Sequence, residues 1–244
     1  NQSGADYDNA KLKLIAGDVH RAEPPPARLM AKGFDMMAEQ AAPPQFEEKR
    51  FFEYHLYTLQ RRATVKNNQV KQIALFPPAE IKADKMYCYN GALYGDAVRV
   101  TLSFQNSKGS GLGIPLPKGK VRVYKQDDAD NSSEFVGEDL IDHIPQDEKV
   151  RIYLGNAFDI KGERIQKEMK QLSERSHEET WQITLRNHKK EAVTVIVEEQ
   201  LQGDWKIRRE SRPHKKRDAT TVEFEVPVEK DGEAVVEYTA LFKW

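Results

Sequence analysis

The chain has 244 residues with 38 basic and 39 acidic side chains, so its formal net charge of -1 supplies no global field toward nucleic acid or anionic lipid. Apolar residues make up 39% and charged residues 32% of the composition, which excludes a disordered chain and leaves enough apolar side chains for a core. The longest apolar runs, such as residues 73–76 and 193–197, fall far below the roughly 20 residues of a spanning helix, and a single cysteine, Cys88, excludes both an intramolecular disulfide and a zinc site of several thiolates.

The polar opening, residues 1–8, begins with Asn1 and reads as a processed or truncated product. Residues 23–45 are bounded by Pro24-Pro25-Pro26 and Pro43-Pro44, which neither continue a helix nor donate to a sheet ladder. This predicts an excursion, in which Met30, Phe34 and Met37 share helical spacing although Gly33 opposes a stable helix. Asn67-Asn68, between Thr64-Val65 and Val70, predicts a hairpin.

From there the period is two. Val98, Val100, Leu102 and Phe104 alternate with Arg99, Thr101, Ser103 and Gln105, which puts apolar groups on one face of a strand and polar groups on the other. Val150, Ile152 and Leu154 repeat the pattern, as do Trp181, Ile183 and Leu185, then Val193, Val195 and Val197, then Val222, Phe224 and Val226. The charged run 161–179 is read as long solvated strands. Asp231-Gly232 predicts a second hairpin, into a last strand carrying Ala234, Val236, Tyr238, Ala240, Phe242 and Trp244 on one face.

Short polar connections after residue 180 leave no room for crossover helices, so a doubly wound fold is rejected. The expectation is an all-β chain of antiparallel β-sandwich units. Residues 1–82 form an N-terminal β segment with its excursion, 83–166 a central β unit, and 167–244 an immunoglobulin- or fibronectin-like sandwich able to fold alone.

Several runs then carry a family resemblance: FEYHLYTL at 52–59, KQIAL at 71–75, LPKGKVRVY at 116–124, FVGED at 135–139, DHIP at 142–145, LGNAFD at 154–159 and LRNHKK at 185–190. Together they resemble the bacterial domain of unknown function 4139, found in mucoidy inhibitor A-like proteins. The resemblance spans most of the chain, with residues 9–14 similar to an early strand of that domain. It implies a β-rich exported protein, truncated at its N-terminus relative to the family. It brings no catalytic residues.

Asp128, Asp130, Ser132 and Glu134 alternate like the first half of a calcium loop, but without a glycine at the sixth position or a distant glutamate they read as a hairpin tip. Arg208, Arg209, Arg212, His214, Lys215, Lys216 and Arg217 form a basic cluster around Pro213. With Glu198, Glu199 and Glu210 near and no interleaved stacking aromatics, it reads as a solvated loop rather than a nucleic-acid surface.

Glu53 and His55 share a strand face and would suit a metal or an acid–base pair if a third group joined them. His143 and His188 read as turn residues. Gly109, Gly111 and Gly113 lead toward a strand without a following Gly-Lys-Ser/Thr, which excludes a phosphate cradle. Cys88 has no evident histidine partner. No catalytic, cofactor-binding or metal-ligating residue is assigned, and no cofactor is expected.

The sequence thus points to a non-enzymatic binding or structural module, which the resemblance implies to be extracytoplasmic, in the cell envelope. A protein or glycan partner is expected, no nucleic acid and no membrane span, with the oligomeric state left open. The alternative is a carbohydrate-active enzyme or its accessory domain, with Glu138, Asp139 and Asp142 as its carboxylates.

Overall fold

A computed structural model describes residues 1–17, 46–76, 79–127 and 129–244. The predicted excursion at 23–45, with Met30, Phe34 and Met37, lies outside the described residues, as does Asp128. The described chain divides into two compact units: Asn1–Ile81, Gln105–Gly119 and Ile141–Glu148 in one, and Lys82–Phe104, Lys120–Leu140 and Lys149–Trp244 in the other.

The first unit holds strands β1 (Tyr7–Ala10), β2 (Lys13–Ala16), β3 (Phe46–Phe51), β4 (Tyr54–Leu59) and β5 (Ala63–Val65). β4 is central in the sheet order β2-β4-β3, while β1 pairs with β5. Tyr57, Leu59, Phe46 and Ala63 are buried together, with Ile73 and Leu75 packed against them. The Asn67-Asn68 turn forms, with Asn68 at φ 57°, but Val70 beyond it is not a strand. The predicted hairpin is therefore corrected: β5 pairs with β1, and the Asn1 side chain donates to the Val65 and Lys66 carbonyls at 3.2 and 3.1 Å.

The second unit contains β6 (Asp84–Tyr89), α1 (Gly91–Tyr94), β7 (Ala97–Gln105), β8 (Gly119–Gln126), β9 (Ser133–Ile141), β10 (Lys149–Ser173), β11 (Ser176–Asn187), β12 (Val193–Gln200), β13 (Asp204–Glu210), β14 (His214–Lys216), β15 (Thr221–Val228) and β16 (Gly232–Lys243). β8 pairs with β9. The other strands make one sheet of nine, in the order β13-β16-β11-β10-β7-β6-β12-β15-β14. That sheet folds over itself, because Phe224 of β15 stacks on Tyr238 of β16 at 5.5 Å although the two strands are not neighbours in it.

The chain is thus all-β, and the charged run 161–179 is strand, as expected. Two expectations about its assembly are overturned. Asp231-Gly232 is a turn, with Asp231 at φ 46°, but β15 and β16 pair with β12 and β11 and not with each other. The turn carries the chain between layers instead of closing a hairpin. Turn residues specify a reversal of direction; which strand then becomes the hydrogen-bonded neighbour is settled by packing.

The second correction concerns domain boundaries. Residue 167 lies inside β10, which sits between β7 and β11 in the sheet and joins strands of the expected central unit to those of the expected C-terminal sandwich. β6 also inserts beside β12 as a parallel pair, Val195 opposite Tyr87. One core results, in which Tyr89 and Val98 are buried with Ile160, Ile183, Val195, Val197, Phe224 and Val236.

Gly162 shows how tightly that core is closed. A Cβ placed there would lie 2.2–2.5 Å from the ring of Tyr89, a side chain that is 0% exposed. Gly162→Ala is expected to destabilise by about 1–3 kcal/mol, the usual cost of overpacking. Denaturant titration reads this, and in a Tyr89→Leu background the same substitution should cost much less; an equal cost in both backgrounds would refute the contact.

Candidate functional site

The second unit carries a cleft of about 330 Å³, and its floor consists of positions that strand alternation turns away from the core. Tyr87 and Tyr89 of β6 face the core, which turns Met86 and Cys88 outward. On β7 buried Val98 leaves Arg99 and Thr101 on the outer face, paired across the ladder with Cys88 and Met86. Buried Val150 and Ile152 of β10 likewise turn out Arg151 and Tyr153. Buried Val197 and Glu199 of β12 turn out Glu198.

Three further groups join the lining, beside Tyr89 and Asn90. Tyr94 comes from the single turn α1, whose start is capped by the Asn90 side chain accepting from the Leu93 amide at 3.1 Å. Asp139 comes from β9, where Gly137 lets the strand approach β10: a Cβ on it would sit 2.6 Å from the Leu154 carbonyl oxygen. Arg217 follows β14 and reaches the lining beside Glu198.

The three guanidinium groups differ in commitment. Arg217 Nη1 bonds Glu198 at 2.6 Å and Glu223 at 3.1 Å, so its charge is neutralised. Arg99 lies against the rings of Tyr153 and Tyr94, at 3.8 and 4.6 Å from their centroids, and donates to the Tyr94 hydroxyl at 2.8 Å. Its interactions are with aromatic groups, which fix its orientation and leave its charge in place. Arg151 is exposed and has no hydrogen-bond or ion-pair partner among the described residues.

The acidic and thiol groups have little catalytic freedom. Asp139 accepts from the Leu140 amide through Oδ1 and from the Tyr153 amide through Oδ2, at 2.9 and 2.8 Å, so both oxygens are spent on backbone. Burial, then the field of Glu198, pushes the Cys88 thiol up, against the weaker pull of Arg151 and Arg99. A thiol raised in this way is less thiolate at neutral pH and a poorer nucleophile.

The carboxylates of the enzyme alternative are committed to different partners. Glu138 bonds Lys120 and Arg122 at 2.7 and 3.2 Å, Asp139 binds backbone, and Asp142 pairs with Lys118 at 3.1 Å. Part of the basic cluster is paired: Arg208 faces Glu178 at 3.9 Å, His214 bonds Glu210 at 2.5 Å, and Lys215 pairs with Glu225. Lys216 lies over the Trp205 ring at 4.7 Å.

In the first unit, Glu53 and His55 do meet a third group. His143 lines the same cavity of about 260 Å³, among Pro115, Pro117 and Pro145. His55 Nδ1 is engaged by Glu48 at 2.7 Å, however, and His143 Nδ1 accepts from the Lys118 amide at 3.1 Å. No set of three metal-ligating side chains occurs among the described residues.

The remaining motifs are turns. Asp130 accepts from the Ser132 amide and Ser132 donates to Glu134, both at 2.9 Å, around Asn131 at φ 60°. The backbone bond holds the Asp130 carboxyl below its ordinary range. Gly111 ends a short 3-10 turn at φ 91°, 2.4 Å from the Glu80 carbonyl if it carried a Cβ. His188 donates its amide to the Asp159 carbonyl at 2.8 Å.

Arg99, Arg151, Tyr94 and Tyr153 carried no motif and were missed by reading the sequence for motifs. The signal was present in part, as positive and aromatic residues at the outward positions of predicted strands. No protein-family model, curated protein or solved structure matches the chain.

Proposed function

We propose that this protein is a non-enzymatic binding module of the cell envelope that holds an anionic group in the arginine-lined cleft of its second unit. The observation that carries the reading is Arg151, a guanidinium uncommitted among the described residues, which lines the same cleft as a second one, Arg99, whose orientation is fixed by two tyrosine rings. Preorganised cationic donors that no carboxylate pairs directly are what a binding site for an anion requires. The absence of an activated nucleophile in the lining favours binding over turnover. The extracytoplasmic setting follows from the resemblance to the domain of unknown function 4139.

Acetate tests this at the level of one group. Titrated into the labelled protein, it is expected to shift the amide resonances of Cys88, Arg99 and Thr101 selectively, and Arg151→Glu should abolish those shifts while leaving the melting temperature unchanged. Shifts spread evenly over the surface, or surviving Arg151→Glu, would sink the proposal. Hydrolysis of an aryl glycoside that disappears in Glu138→Gln or Asp142→Asn would establish the enzyme alternative instead.

A further inference from the structure

We infer that the cleft selects a small hydroxylated monocarboxylate, a sugar acid of about six carbons, over neutral polyols and over phosphate esters. The inference rests on reading that cleft as a binding site and adds the charge, shape and size of what it holds. Three guanidinium groups and two carboxylates line it. Arg217 is held by Glu198 and by Glu223, which lies outside the lining, and so has no positive charge to spare, whereas Arg99 and Arg151 against Asp139 leave one positive charge in excess at their end of the cleft. Such a field matches a single negative charge. A phosphate ester, close to two negative charges at neutral pH, would leave charge uncompensated against Asp139 and Glu198.

Geometry supports the same class. The Arg99 guanidinium is held against the Tyr153 ring, 3.8 Å from its centroid, and its Nη1 donates to the Tyr94 hydroxyl, so Nε and Nη2 remain to donate, and a planar carboxylate accepts from such a pair of N–H groups through two parallel bonds. The Thr101 hydroxyl and the Glu198 carboxylate offer hydrogen bonds to ligand hydroxyls from the same floor. A volume of about 330 Å³ is at the small end of ligand pockets and suits one six-carbon acid rather than a polymer segment.

Three ligands on one carbon skeleton separate charge from shape: gluconate, sorbitol and sorbitol 6-phosphate, titrated calorimetrically into the full chain. Gluconate is expected to bind about tenfold more tightly than either of the others, the loss of one charge-assisted bond being enough for that ratio. Arg151→Ala should remove the preference over sorbitol, and Arg151→Lys, which keeps the charge but not the fork, should restore only part of it. Tighter binding of sorbitol 6-phosphate would overturn the ligand class while the local acetate response still upheld the binding site. Failure of gluconate to outcompete sorbitol, with the acetate response intact, would overturn it equally. Failure of both experiments would end the binding reading as well.

Discussion

Glu199→Gln is expected to destabilise the protein by about 3–5 kcal/mol, the usual cost of leaving one member of a buried ion pair without its partner. Glu199 is 1% exposed and accepts from Arg164 through Nε and Nη2 at 2.9–3.0 Å, and from the Tyr238 hydroxyl at 2.5 Å. The Arg164 guanidinium lies 3.3 Å from the centroid of the Trp181 ring. Burial alone opposes its charge, yet the hydrogen bond and field of Glu199 hold its pKa above the ordinary value. Burial, reinforced by Glu199, likewise keeps the Tyr238 phenol protonated far above its usual range.

These residues come from β10, β12, β16 and β11, so the network ties strands that are distant in the sheet order. The amide of glutamine preserves volume, removes the charge and sets a donor where Arg164 and Tyr238 already donate, so the test reads the loss of the charge together with its hydrogen bonds. Against a total stability of about 5–15 kcal/mol for a typical domain, the loss should appear as a large fall in the denaturation midpoint. The double replacement Arg164→Met with Glu199→Leu should recover most of it, because neither charge then remains buried. A cost below about 1 kcal/mol for Glu199→Gln would mean that the pair contributes no more than a surface bridge.

A fragment of residues 167–244 is expected to remain unfolded, which reverses what strand count alone suggests. Cutting at 167 divides β10, removes β6 and β7, and takes Tyr87, Tyr89, Val98, Ala157 and Ile160 out of the core. β12 would lose its parallel neighbour and expose a hydrogen-bonding edge, a liability for aggregation. Glu199 would lose Arg164. Circular dichroism should show no cooperative melting transition in the fragment. A fragment melting cooperatively with a strand spectrum would refute the single core and reinstate an independent C-terminal sandwich.

Much of this architecture was legible in the amino-acid sequence, because a period of two is imposed by the pleat of each strand and is independent of the strand's neighbours. The alternation of Val193, Val195 and Val197, or of Val222, Phe224 and Val226, therefore identified both the strands and their buried faces, which are buried in the fold. The run 161–179 was read correctly as strand despite its charge. Pairing was less legible. Asp231-Gly232 encodes a reversal of the chain, and only the contact of Phe224 with Tyr238 makes that reversal a passage between layers.

The cleft lay at the limit of what local pattern determines. Alternation placed Arg99 and Thr101 on the polar face of a strand, and the same rule holds for Arg151 and Tyr153. Whether such a face meets water or forms the floor of a binding cleft depends on which strands lie side by side and on what overhangs them. Arg151 and Arg217 are 66 positions apart in sequence and line one cavity because the sheet runs β10, β7, β6, β12, β15, β14, and Arg217 follows β14. Local chemistry decided which residues point outward, and long-range strand order, driven by burial of a common core, decided which of them meet.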